Sequence, residues 1–353
     1  MGMTAGRGGV LRVVRVMIPV MALLGLLHTA LWFWAMAVLH DGIRAILTSP
    51  AAPGWSVAAG LPTRNGWPQR VALQVPDLAV TFASPDLPGG LAWSADALAV
   101  SVSLLRPFTL VLDIIGRQTW RVGAAPAIPV VAQQMRAEVP LHPGVPVRAV
   151  TVEVAGLRAE LPEGGFALAR LDLHGVLKPA APQGEAAVAL SMTVDSVGLP
   201  PGGAWPLGPR IDRIAVDASL GGPLPRGPHL LERAEAWRDG GGVLEVRRLD
   251  LHWGALRLAG SATVALDGQL QPMGAATARV VGHAETLDAL VSARLLAARG
   301  AQAAKAVLAL MAQPAADGGA PMVEVPFSLQ NRTLALGRIP LVRVPELVWP
   351  QPQ

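Results

Sequence analysis

The pentapeptide RLDLH occurs twice, at 170–174 and 248–252, and brings together residue types that readily do chemistry. Histidine beside aspartate can hold a divalent metal or move a proton. On a strand, each copy sends its two leucines to one side and its Arg, Asp and His to the other. His174 and His252 on adjacent strands, with Asp172 and Asp250, would then share a metal; a solvated sheet face produces the same pattern. The remaining histidines, His28, His40, His142, His229 and His283, form no HExxH or other close ligand pair. No GxSxG elbow, Walker loop or strand–GxGxxG–helix unit is present. The GGG at 240–242 lies between a helix and a strand, the reverse of the order that cradles phosphate, and reads as a turn. Glu232 and Glu235 fall on a short helix as solvated carboxylates. Asn331-Arg332-Thr333 matches a glycosylation sequon of a kind that arises by chance, and Trp67 and Trp93 read as core anchors. No catalytic constellation, metal or cofactor is expected.

The elements that would position these residues are mostly strands. Period-two alternation runs through Leu98, Val100, Val102 and Leu104, through Val150, Val152 and Val154, and through Val188, Leu190, Met192 and Val194. In LRLAGSATVALDGQL (256–270), Leu256, Leu258, Val264 and Leu266 share a side, and Asp267-Gly268 predicts a two-residue hairpin. Further strands are expected near 70–82, 108–114, 166–177, 211–220, 243–253, 273–281 and 322–336. The Pro-interrupted stretch 123–146 reads as an edge element or long loop. A helical region is expected at about 286–313, capped by Thr286, broken by Gly300 and ended by Pro314, and a shorter helix around 228–238.

The N-terminal forty residues are different in kind. MIPVMALLGLLHTALWFWAMAVL, residues 17–39, contains no charge and as a helix spans about 35 Å, against roughly 30 Å of hydrocarbon. Arg7, Arg12 and Arg15 precede it with no acid among them, which keeps that end cytoplasmic. Trp32, Phe33 and Trp34 stand where an aromatic belt is expected, so Arg12, Arg15, Trp32 and Trp34 are the expected anchor residues. The competing reading is a signal peptide cleaved after Ala37, because Ala35-Met36-Ala37 has the small-x-small form. The organisation expected is a basic cytoplasmic tail (1–16), a transmembrane anchor (17–39), a juxtamembrane helix and linker (40–53) and a β-rich periplasmic domain (54–349).

Composition narrows the classes. The chain has 353 residues, 52% of them hydrophobic and 15% charged, with no cysteine. Disulfides and thiolate sites are thereby excluded. The net charge of +4 comes largely from Arg7, Arg12 and Arg15; without them, 29 basic residues become 26 against 25 acids. Binding nucleic acid through bulk charge is not expected.

Gly66, Trp67, Pro68 and Arg70, followed by Pro76, resemble the opening of an uncharacterised family of membrane-anchored proteins from Gram-negative bacteria, domain of unknown function twenty-one twenty-five. Trp93 with Ala95, Arg106-Pro107, the block WGALRLAGSATVALDGQLQPMG and the closing VPFSLQNRTLALGRIPLVRVPEL are similar to it as well. The resemblance implies an inner-membrane-anchored, β-rich envelope protein and brings no catalytic residues. More distantly, the LDGQLQPMG turn resembles AsmA-like envelope proteins, which are linked to lipid handling.

The fold expected is therefore mainly β with minor α: a large antiparallel sheet, curved or rolled as a half-barrel or sandwich. Ten or more strands would each present several apolar side chains on one face. Leaving these wet costs about 1.5–3 kcal/mol each, against a net stability of about 5–15 kcal/mol, and the helices are too few to roof the sheet. Either a lipid or lipoprotein occupies an apolar groove lined by Leu98, Val100, Val102, Leu104, Val188, Leu190, Met192, Leu256, Leu258 and Val264, or those residues close a core and the surface docks envelope proteins as an adaptor. The inner membrane is the expected partner in both readings.

Overall fold

The computed structural model describes residues 7–48, 54–84, 87–141, 147–178, 181–227, 229–312, 321–337 and 339–350. A single long helix, α1 (Arg7–Thr48), leads into β1 (Trp55–Ala58), β2 (Thr63–Asn65), β3 (Arg70–Ser84), β4 (Leu87–Ser103), β5 (Arg106–Val122), β6 (Ile128–Val131) and β7 (Gln134–Pro140). Then come β8 (Ala149–Leu161), β9 (Gly164–Leu177), β10 (Ala186–Gly198) and β11 (Arg210–Gly221). Helix α2 (Leu230–Asp239) precedes β12 (Leu244–Trp253), β13 (Leu256–Leu266) and β14 (Pro272–Val281). Two helices, α3 (His283–Ser292) and α4 (Ala298–Met311), separate these from β15 (Met322–Gln330), β16 (Thr333–Leu336) and β17 (Ile339–Arg343).

All the strands belong to one sheet, and every pairing is antiparallel. From β3 onward the chain is a meander, with β6 and β7 together bridging β5 to β8, while β1 and β2 both pair with β3. The sheet does not close into a barrel.

A crease crosses the strands. Asp77 (φ 50°), Gly116 (φ 83°), Gly156 (φ 60°) and Ser196 (φ 57°) all adopt the left-handed conformation. The ladders skip residues there: Pro76 faces Ala97 and Leu78 faces Ala95, while Ala155 faces Arg170 and Leu157 faces Leu168. The β10 ladder likewise skips from Asp195 to Val197. At each crossing the side-chain alternation slips by one, so Val71, Leu73 and Val75 continue on the same side as Leu78 and Val80. Gly116 permits the slip in β5, where Asp96 Oδ2 accepts the Arg117 N–H at 2.7 Å. At Gly156 the positive φ of 60° favours glycine; a Cβ there would also meet the flexible, exposed Gln133 side chain, which would have to swing aside.

Helix α1 runs unbroken through the expected span and the juxtamembrane segment; its 42 residues make a rod about 63 Å long. The linker prolines Pro50 and Pro53 lie outside the described residues, as do residues 1–6, His142 and Pro314. The second half of α1 lies on the sheet. Trp32 and Met36 retain 6% and 1% of their surface, packed with Val71 and Leu73, and Ala35, Leu39, Ile43 and Leu104 flank them. The Trp32 Nε1–H donates to the Arg70 carbonyl at 2.9 Å, and His28 Nε2 lies 2.9 Å from the Pro68 carbonyl oxygen. Helix and strand run parallel with matched rise. His28 to Ile43 advances about 22 Å as helix, and Pro68 to Val75 about 23 Å as strand.

Several expectations need correction. The stretch 123–146 supplies β6 and β7, and β7 lies between β5 and β8 rather than at an edge. The region 286–313 is two helices parted at 293–297, where Arg294 takes φ 59°. Gly300 sits inside α4, Gly282 occupies the N-cap of α3, and the Thr286 hydroxyl makes no cap. Asp267-Gly268 belongs to a longer loop, with Leu266 facing Pro272. Asp267 Oδ1 accepts the N–H groups of Gln269 and Gln271 at 2.8 Å, a local Asx-type closure that outcompetes the tight turn. The two-residue turn occurs instead at Asn331-Arg332, where both φ angles are positive.

Candidate functional site

The registers align the inward side chains of successive strands into continuous apolar rows. One row can be followed from neighbour to neighbour: Leu73, Val100, Leu112, Ala137, Val152, Leu173, Met192, Val216, Leu249, Gly260, Ala278 and Val325. Its ends are covered. Leu73 is fully buried under α1 and Val100 beside it, and Ala278 and Val325 retain 7% and 3% of their surface. Helices α3 and α4 pack against β13 and β15 at that second end. Between the ends, the seven side chains from Leu112 to Leu249 are only half-buried. At about 4.8 Å per strand this uncovered span, β5 to β12, is about 29 Å wide. In the next row Val154 and Val194 are buried, while their larger neighbours Leu171, Ile214 and Leu251 are half-buried. The chain as a whole exposes 22,380 Å², against about 13,500 Å² for a compact protein of its mass.

Most residues expected to line a groove meet on this face. Val188, Leu190 and Met192 face Leu220, Ala218 and Val216, while Leu256, Leu258 and Val264 face Trp253, Leu251 and Leu244. Leu98 and Val102 flank Val100, and all three lie at the end near α1; Val100 itself is fully buried beside Leu73. Leu112, Val152, Leu173, Val216 and Leu249 belong to the face equally, and their period-two spacing was the signal for them. A cavity of about 230 Å³ lies between Ile43, Ile46 and Leu47 of α1 and Val57, Val75, Val80, Trp93 and Leu98 of the sheet. Gln118 is the buried polar exception; its amide oxygen accepts the Trp93 Nε1–H at 3.1 Å. The two tryptophans expected to form one belt diverge. Trp32 is turned onto the sheet and Trp34 is 65% exposed. Of Arg12 and Arg15 only the helical backbone is described.

The opposite face is ionic. Arg136 and Asp113 pair at 2.7 Å between β7 and β5, Arg279 and Glu324 at 3.2 Å between β14 and β15, and Ser191 donates to Asp217 at 2.5 Å. In each RLDLH copy the arginine and the aspartate pair with each other. Arg170 bonds Asp172 at 2.7 Å, and Arg248 bonds Asp250 at 2.6 Å. The Arg170 hydrogen bond holds the Asp172 carboxyl below its ordinary range, and Asp172 holds the Arg170 guanidinium above its own. His174 pairs with Thr151 at 3.2 Å. Strands β10 and β11 stand between β9 and β12, so His174 and His252 do not share a site. Among the described residues no three His, Asp or Glu side chains are grouped to hold a metal. Depressions of about 550 and 370 Å³ on this face are lined by residues such as Glu245, Ser261 and Thr277, and Arg248, Asp250 and Glu324.

A family model described as "Uncharacterized protein conserved in bacteria (DUF2125)" matches residues 32–345, beginning at the tryptophan that docks α1 on the sheet. No curated protein and no solved structure matches the chain. These comparisons do not show the AsmA-like similarity.

Proposed function

We propose, from the premise that the chain belongs to the uncharacterised bacterial family DUF2125, that it is an inner-membrane-anchored envelope protein whose uncovered sheet face holds lipid acyl chains. In this reading α1 is retained, its basic start stays in the cytoplasm and the β domain stands in the periplasm. Retention is supported by the docking contact. Cleavage after Ala37 would strip Trp32 and Met36 from the core they form with Val71 and Leu73.

The observation that carries the lipid reading is the row from Leu112 to Leu249, only half-buried while both of its ends are roofed. Each of these side chains keeps part of its surface in water, a cost that covering the row would remove, and apolar patches this broad mark sites that something covers. The face also reaches the sheet end from which the exposed half of α1 projects, so an acyl chain could pass from bilayer to sheet without crossing water.

Native mass spectrometry of the full chain, extracted in mild detergent, tests this. Phospholipid-mass adducts are expected, and the pair Met192→Asp with Leu249→Asp should lose them while keeping the circular-dichroism signature of the sheet. A folded wild-type chain that carries no lipid, or that carries a stoichiometric protein partner in its place, would overturn the lipid reading and leave the adaptor.

A further inference from the structure

We propose that the β3–β5 end of the sheet is itself seated in the bilayer surface, its turns reaching past acidic headgroups towards the acyl chains. The proposal rests on reading α1 as a membrane anchor. Its first support is a length. Arg15 is the last charge before the apolar run, and His28 is hydrogen-bonded to the sheet through Pro68. Those thirteen residues span about 20 Å as helix, while the hydrocarbon is about 30 Å thick. The free part of α1 is about 10 Å too short to hold the sheet clear of the membrane.

The side chains at that end supply the second support. The β4–β5 turn is closed by Ser103 facing Arg106, beside the start of β3, where Arg70 faces Ser103. Leu105 at its tip is 93% exposed, Phe108 in the same hairpin is 60% exposed, and Trp67, expected as a core anchor, stands 60% exposed in the turn that leads into β3. A leucine presented bare on a hairpin tip, with a phenyl ring in the same hairpin and an indole in the turn before β3, is unfavourable in water and suited to a lipid interface. Arg64, Arg70 and Arg106 are exposed around them, and residues 63–70 and 103–109 contain no acid. Three guanidiniums with no counter-charge among their turn residues fit a leaflet of acidic phospholipid, and their aliphatic stems can lie along the apolar tips.

The chain has no cysteine, so single-cysteine variants report position directly. Leu105→Cys, Val122→Cys at the far end of β5 and Leu23→Cys in α1 would each carry an environment-sensitive nitrobenzoxadiazole label. The full-length protein would be placed in phosphatidylcholine vesicles with and without phosphatidylglycerol. The labels at 23 and 105 should shift to the blue and be quenched by spin-labelled lipid, with the label at 122 remaining accessible to aqueous iodide. A label at 105 that behaves like the one at 122, while that at 23 is in lipid, overturns the seat and spares the anchor. A label at 23 in water overturns both. Arg70→Glu with Arg106→Glu should abolish the extra quenching at 105 that phosphatidylglycerol brings; an unchanged response contradicts the headgroup assignment.

Discussion

Trp32 ties the N-terminal helix to the sheet. Its ring closes the contact between α1 and Val71 and Leu73, and its N–H satisfies the carbonyl of Arg70 at the start of β3. Trp32→Phe keeps most of the ring contact and gives up one hydrogen bond, an expected loss of about 1 kcal/mol. Trp32→Ala should cost about 3–5 kcal/mol. Urea denaturation of the full chain in mild detergent, followed by circular dichroism, reads both; two variants as stable as wild type would mean that α1 does not dock. The docking face was hard to read from the sequence because α1 is apolar on every side, which removes the contrast by which a helix normally reveals its buried stripe. The surviving trace is the i, i+4, i+8 spacing of His28, Trp32 and Met36. The paired polar residues were more legible. In both RLDLH copies alternation alone sends Arg, Asp and His outward, where Arg170–Asp172 and Arg248–Asp250 pair.

At the scale of elements, most strands followed from alternation, because a half-buried pleat demands it. The errors fall where a local preference met a stronger constraint. β7 ends at Pro140 in a Pro-interrupted stretch that reads as an edge element or long loop, yet β5 and β8 hold it from both sides. The crease is hard to read because each left-handed residue, at Asp77, Gly116, Gly156 and Ser196, shifts the apolar parity by one; the alternation at 108–114, 150–154 and 188–194 stops short of it, and the expected strand 70–82 runs across Asp77 without showing it. The helical region divides because Arg294 turns left-handed, not at the glycine. Helix α1 roofs one end of the sheet, so a chain lacking residues 1–48 should fare badly. Val71, Leu73, Val75 and Val100, each at most 2% exposed now, would be opened to water. Such a chain is expected to aggregate or to melt well below the full-length protein. A monodisperse, equally stable truncated domain in size-exclusion chromatography with thermal melting would show that the helix contributes nothing to the fold.

On the scale of the whole molecule, the projecting half of α1 and the open single sheet both add to the surface, and the half-buried row lies on the second. A sheet of this width has been roofed at its two ends and left open between them. The composition announced that mismatch, since an apolar chain with few helices cannot cover its own sheet. Which end each helix would cover was out of reach, because that depends on long-range register set by the meander. The most direct test places a photo-activatable residue at Met192, and separately at its neighbour Thr193, in full-length protein in native membranes. The two positions alternate across one strand, and Met192 faces Leu173 and Val216 in the uncovered row. The account predicts lipid adducts at Met192 and none at Thr193. Equal labelling at both positions, or no adduct at Met192, would contradict it.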